Sequence, residues 1–183
     1  KAAEWRSKTN KIGLVSAAVC DHPEISTILS ELRAMDYRIT VSSLRLDQIS
    51  DELLDALVES KDQQIAVAPE TGSDRLRRVI NKNLTNDEIV DICGSVFDRG
   101  MLTIKLYVMV GLPTENQEDL DEIFVLAARI KDRMLEAGKL FGRAGKIIVS
   151  PVLGGVCQWK PLLRGPVMNA VLPNNLEPVS KWA

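Results

Sequence analysis

LTIKLYVMV, Leu102 to Val110, runs directly into GLPTE, Gly111 to Glu115. Side chains alternate across a strand, so Ile104, Leu106, Val108 and Val110 share one face, and Lys105, Tyr107 and Met109 share the other. An apolar face backed by one carrying a lysine and a tyrosine suits a strand with helices outside it and a ligand-holding interior within. The Gly111-Leu112-Pro113 turn at the strand's end lets the backbone approach a ligand closely, although an ordinary tight turn reads the same way.

Four further runs have strand character: Ile12 to Val19, Arg38 to Ser43, Gln64 to Pro69 and Lys146 to Ser150. Between them lie segments of helical period with recognisable starts. Pro23 opens a helix to about Met35. Ser50 caps DELLDALVES, and Ser73 begins DRLRRVI. Thr85 to Glu88 forms a capping box, and Thr114 to Gln117 fits a second one opening a long charged helix. Strand and helix alternating, with mostly apolar strands, predicts a parallel sheet covered by helices; doubly wound sheets and (β/α) barrels both satisfy the pattern. Pro151, Pro161, Pro166, Pro173 and Pro178 crowd a stretch without sustained period, so the expected division is an α/β domain over 1–150 and an irregular segment over 151–183.

The 183 residues are 45% hydrophobic and 26% charged, with a formal net charge of −2. That composition fits one globular domain and gives no clear nucleic-acid surface, which would show a basic stripe. No apolar run nears the roughly 20 residues that span a bilayer, and the start has no signal-peptide core. Cys20, Cys93 and Cys157 have no metal-ligand spacing, and three cannot all pair, which points to a reducing, cytoplasmic compartment. The chain begins at Lys1 rather than Met and is expected to be a piece of something longer.

Ligands of parallel α/β proteins bind at the carboxyl ends of the strands. QIAVAPE sets Ala66, Ala68 and Glu70 on one face; the small residues leave space and Glu70 arrives at the strand's end. Glu70 either contacts a ligand or complements the next helix's N-terminus. RITVSS likewise puts Thr40 and Ser42 opposite Ile39 and Val41. Lys105 either faces the interior or snorkels to solvent. The turn Thr71 to Asp74 either docks an anion on its backbone amides or merely starts a helix. His22 reads better as a cap or packed ring than as a ligand, and Cys157 has no base to activate it.

In combination these residues do more. Arg45-x-Asp47, SDELLDALVES, APETGSDRLRRVINK and KLYVMVGLPTENQEDL, in that order, resemble the radical SAM superfamily, specifically its methylthiotransferase-like and cobalamin-domain-associated branches. The resemblance covers about residues 12 to 150. It implies a partial parallel (β/α)6 barrel of which the first strand is missing from this chain. It also implies a [4Fe–4S] cluster on three cysteines of a C-x-x-x-C-x-x-C loop, S-adenosylmethionine (SAM) on the cluster's open iron, and a 5′-deoxyadenosyl radical that attacks a substrate not specified by the sequence. Matched by position, Glu70 lies near the SAM ribose and methionine, Lys82 serves the SAM carboxylate, Tyr107 the ribose, and Gly111 to Pro113 the adenine. Ala17 to Asp21 falls where relatives use Gly-Gly-Glu to hold the methionine amino group, leaving Asp21 or backbone carbonyls for that contact. Ser42 and Lys105 complete the expected cofactor-facing set. No C-x-x-x-C-x-x-C occurs in the chain, so the cluster ligands are expected outside it and the fragment alone is expected to be inactive. A barrel lacking a strand is also expected to associate through its open edge. The alternative reading is a non-catalytic binding or scaffold module that keeps only the ligand turns.

Overall fold

The structure is a computed structural model that describes residues 4, 8–16, 19–41, 44–60 and 64–153. Among the described residues five strands are separated by helices, two of them between β3 and β4: β1 (Lys11–Leu14), α1 (Ile25–Ala34), β2 (Arg38–Val41), α2 (Asp51–Glu59), β3 (Gln64–Glu70), α3 (Asp74–Val79), α4 (Asn86–Asp98), β4 (Thr103–Val110), α5 (Gln117–Phe141) and β5 (Lys146–Leu153). Short 3-10 turns at Val19–Asp21 and Leu46–Gln48 follow β1 and β2.

All the strand pairs are parallel: β1 with β2, β3 with β4, and β4 with β5. A parallel bridge from Leu44 to Val67, with the Leu44 amide donating to the Ala66 carbonyl at 3.0 Å, links the end of β2 to β3. The strands thus lie side by side in chain order. Parallel neighbours need a crossover, and each one here contains helix.

The alternation expected of the strands is present. On β4, Ile104, Leu106 and Val108 are buried against the helices while Lys105, Tyr107 and Met109 are half-buried on the other face. β3 repeats this, with Ile65, Val67 and Pro69 buried and Ala66, Ala68 and Glu70 half-buried. The core under the outer faces joins Ile39, Ile65, Val67, Ile104, Leu106 and Ile147 to Leu54, Leu57, Ile89, Phe97, Leu126 and Ile130. Each such side chain contributes about 1.5–3 kcal/mol on burial. These facing layers hold the strand ends in register and so position the site.

The starts of α2, α3 and α4 follow their sequence signals, whereas α1 begins at Ile25, two residues after Pro23, behind Glu24, which makes no side-chain cap bond. Ser50 and Ser73 accept from the amides of Leu53 and Leu76, and Thr85 and Glu88 form the capping box of α4. The second box is displaced by two residues: Asn116 is the cap and Asp119 its partner, so α5 begins at Gln117 and Thr114 stays in the turn. Asparagine caps as well as threonine does, and Thr114 has a left-handed backbone (φ 65°) incompatible with that role. β1 is shorter than the sequence suggested, ending at Leu14, with Val15 largely exposed. β5 instead continues through Pro151 to Leu153. Proline is tolerated there because, among the described residues, β5 pairs on one side only. Residues 154–183, including Cys157, lie outside the described residues, as does Ser42. No helix among the described residues is long and apolar enough to cross a membrane.

Candidate functional site

The carboxyl ends of β3 and β4 converge through register and one irregularity. Gln64 to Val67 pair in step with Thr103 to Leu106, but Glu70 pairs with Val108, so β3 bulges between Val67 and Glu70. Such bulges re-aim side chains. Glu70 also has a left-handed backbone, φ 67°, a strained state for a residue with a Cβ. Its carboxylate accepts from Lys82 Nζ at 3.0 Å, while the same ammonium donates to the Ala68 carbonyl at 2.6 Å. Both side chains remain about a quarter exposed. Glu70 therefore pairs with Lys82 across the top of β3, and the helix that follows is capped by Ser73 instead.

Lys82 reaches this position because Arg77 organises the intervening loop. Arg77 is fully buried and spends its fork on four acceptors: the carbonyls of Leu84 (2.6 Å from Nε) and Thr71, and the side chains of Asp74 and Asn86. Burial pushes its pKa down and Asp74 opposes that shift. Asp74 also accepts from the Asn86 amide at 2.9 Å, tying the start of α3 to the start of α4. The Thr71–Ser73 turn is thereby closed. Thr71, Gly72 and Ser73 are buried, so of its two readings the helix start holds and the anion dock does not.

The turn after β4 is fastened to the turn after β3. Arg75 donates to the Thr114 carbonyl (2.8 Å) and to both oxygens of Asp119. Gly72 packs so tightly against α5 that a Cβ there would overlap the backbone of Glu122 and Ile123. Burial alone would raise the Asp119 carboxyl; hydrogen bonds from Arg75, Ser73 and the Asn116 amide outweigh it and hold the pKa below the usual range. Within the turn, Gly111 takes φ 87° and its amide donates to Glu115 Oε2 at 2.6 Å. Glu115 Oε1 is buried and meets no donor. A Cβ at Gly111 would meet nothing within 4 Å, so open space lies beside this backbone.

Asp21 joins from the first crossover. Arg45 donates to Asp21 at 2.9 Å and to Asp47 at 2.6 Å. The Arg45 hydrogen bond, helped by the Lys82 charge, holds Asp47 below the usual carboxylate range despite partial burial. Asp21, Arg45, Asp47, Lys82 and Glu70 thus form a run of alternating charges. Cys20 is half-buried beside it; burial pushes its thiol up, and the Arg45 backbone pulls it back in part. Cys93 is fully buried, its thiol pushed up to about 12. His22 Nδ1 accepts from the Glu24 amide at 3.1 Å, a turn contact of the kind expected.

Of the sequence candidates, Glu70, Lys82, Tyr107, Gly111 and Pro113 gather at the β3–β4 end, and Asp21 connects through Arg45. Lys105 lies lower on β4, its Nζ 4.6 Å from the centre of the Tyr107 ring. Arg75, Arg77 and Asp119 carried no signal of their own in the sequence, and Gly72 stood out only as part of the Thr71–Asp74 turn. The ETGSDRLR string contains Gly72, Arg75 and Arg77, but only tertiary contacts reveal what they hold.

The residues suit SAM as a ligand. It presents an ammonium, a carboxylate, ribose hydroxyls and an adenine edge; the site presents a carboxylate, an ammonium, an orphaned buried carboxylate oxygen and an open glycine backbone. They do not suit an iron–sulfur cluster: no group of three or more His, Cys, Asp or Glu among the described residues could hold a metal ion.

Residues 1–127 match the family described as the Radical SAM superfamily. An uncharacterized protein of Methanocaldococcus jannaschii is 36% identical over 125 residues, covering 68% of this chain and 28% of that protein. The threonylcarbamoyladenosine tRNA methylthiotransferase MtaB of Aquifex aeolicus is 28% identical over 111 residues, covering 57% of this chain and 27% of the enzyme. The chain thus spans less than a third of these relatives' length. The solved structure of coproporphyrinogen III oxidase (HemN) from Escherichia coli, described as a radical SAM enzyme, superposes with a TM-score of 0.55 at 13% identity. That likeness covers 82% of this chain and 36% of HemN, and it shows the fold alone. With parallel strands in chain order, helices outside them and a family match over most of its length, this chain is a partial α/β barrel belonging to the radical SAM superfamily.

Proposed function

We propose that this chain is the SAM-binding part of an enzyme that reductively cleaves SAM to a 5′-deoxyadenosyl radical, which then takes a hydrogen atom from a substrate held in the barrel. The observation that carries the reading is the Glu70–Lys82 pair, set by a bulge and a strained backbone on the same strand end as the Gly111 turn. Strain of this kind persists only where the surrounding structure holds it, and it clusters at active sites and ligand clamps.

In this reading Lys82 meets the SAM carboxylate, and Glu70 accepts hydrogen bonds from the ribose or methionine part. Tyr107 lies beside the ribose. The Gly111 backbone flanks the adenine, whose amino group suits the unpaired oxygen of Glu115. Asp21, held by Arg45, faces the methionine ammonium. The cluster that reduces SAM is supplied by cysteines other than those described here, in a reducing compartment such as the cytoplasm. The free thiols Cys20 and Cys93 agree with that setting.

The test is on the intact parent protein, reconstituted anaerobically with iron and sulfide, then given SAM and a strong reductant. 5′-Deoxyadenosine should form and should fall steeply with Glu70→Gln or Lys82→Met. No product from a protein that still binds SAM would favour a binding module over an enzyme.

A further inference from the structure

We infer that Lys105 is an anion-binding position inside the sheet that takes a carboxylate or phosphate group of the substrate. Assigning that anion to the substrate rests on the proposed radical chemistry; the anion site itself does not.

Three observations carry it. The first is place. Lys105 is half-buried on the interior face of β4, level with Ala66 of β3 on one side and Ile148 of β5 on the other. Ala66 and Ala68 are small and leave room on that face, and Met109 and Ile148 are its apolar neighbours.

The second is charge. The neighbouring cations all have carboxylate partners: Lys82 has Glu70, Arg45 has Asp21 and Asp47, Arg75 has Asp119, and Arg77 has Asp74. Among the described residues Lys105 has none, and its ammonium rests over the Tyr107 ring. A ring face compensates a half-buried cation less than a carboxylate does, so the position favours an incoming anion.

The third is direction. Tyr107 is the next residue on the same face toward the carboxyl end of β4. An ammonium 4.6 Å from the centre of that ring lies toward the same-face neighbour nearer the carboxyl end of β4. That contact favours the interior-facing reading of Lys105 over snorkelling.

The test reads each lysine separately. The intact parent protein is acetylated with an amine-reactive acetyl ester, alone and with inorganic phosphate, malonate or S-adenosylhomocysteine, and acetylation is quantified by mass spectrometry. Phosphate or malonate should slow acetylation at Lys105, rising to about tenfold as the site fills. The exposed Lys139 and Lys146 should be unaffected. Which anion protects identifies the group recognised. The inference is overturned if neither anion protects Lys105, if Lys139 and Lys146 are slowed equally, or if S-adenosylhomocysteine is what protects Lys105, since that assigns it to the cofactor. Protection of Lys82 by S-adenosylhomocysteine reports separately on the proposed function. Anion protection at Lys105 without it would leave the anion site standing and remove the cofactor reading.

Discussion

Replacing Gly72 with alanine should loosen α5 and, with it, the join between the two turns that form the site. A Cβ at residue 72 overlaps the backbone nitrogen of Ile123 and the carbonyl of Glu122. The overlap exceeds about 1 Å when measured against an ordinary carbon contact of about 3.5 Å. Backbone atoms of a helix cannot rotate aside as a side chain can. Ile123, Leu126, Ala127 and Ile130 on that helix are all packed in the core, so either α5 or the 71–73 turn must shift. Overpacking typically costs about 1–3 kcal/mol, and a clash with helix backbone belongs at the upper end, about 3 kcal/mol. Native-state hydrogen exchange on the intact protein reads this locally. Amides of α5 from 122 to 130 should exchange roughly a hundredfold faster in the variant, the equivalent of that free energy. Gly111→Ala is the control. Nothing would touch its Cβ, but φ 87° makes the backbone unfavourable by about 1–2 kcal/mol, confined to the turn. If Gly72→Ala left α5 exchange within about twofold of wild type, the close approach of turn and helix would be refuted.

Other outcomes follow from the same contacts. Arg77→Met should destabilise the protein by about 3 kcal/mol, since it strands the carbonyls of Thr71 and Leu84 in a buried loop, while the part-exposed Asp74 keeps the Asn86 amide; calorimetry on the intact protein would show it. Acid should weaken the site before the core: Asp47, Glu88 and Asp119 all have depressed folded pKa values. Their stabilisation is complete above the unfolded carboxylate value of about 4 and is lost as pH falls below it through the folded values. Exchange at residues 111–119 should therefore rise as pH falls below about 4, ahead of the β4 amides, corrected for intrinsic rates. Cys93, fully buried and shifted to about 12, should resist iodoacetamide at pH 8 while the half-buried Cys20 labels slowly; equal rates would contradict the burial.

What could be read from residues alone was whatever local physics decides. Alternating apolar residues fixed the faces of β3 and β4, because burial beneath helices demands that period. Serine and threonine before apolar periods fixed the starts of α2, α3 and α4. The misplacement of the α5 cap shows the limit: Thr114 and Asn116 both have capping side chains, and the choice was made by a left-handed backbone fastened from Arg75, far off in sequence. The end of β5 was set too early, at Ser150, since proline ends a strand only where its missing amide is needed. The site was half legible. Glu70, Lys82 and Gly111 stood in recognisable strings, whereas the bulge that turns Glu70, the Arg77 hub and the open charge on Lys105 exist only once strands are side by side.

The central claim is that the Glu70–Lys82 end of β3 and the Gly111 turn of β4 bind SAM. It is tested most directly by calorimetric titration of S-adenosylhomocysteine into the intact protein and its Lys82→Met and Glu70→Gln variants. The account predicts a single site weakened about tenfold or more by each change, in proportion to the loss of a charge-assisted hydrogen bond. Binding of equal strength in all three proteins would contradict it.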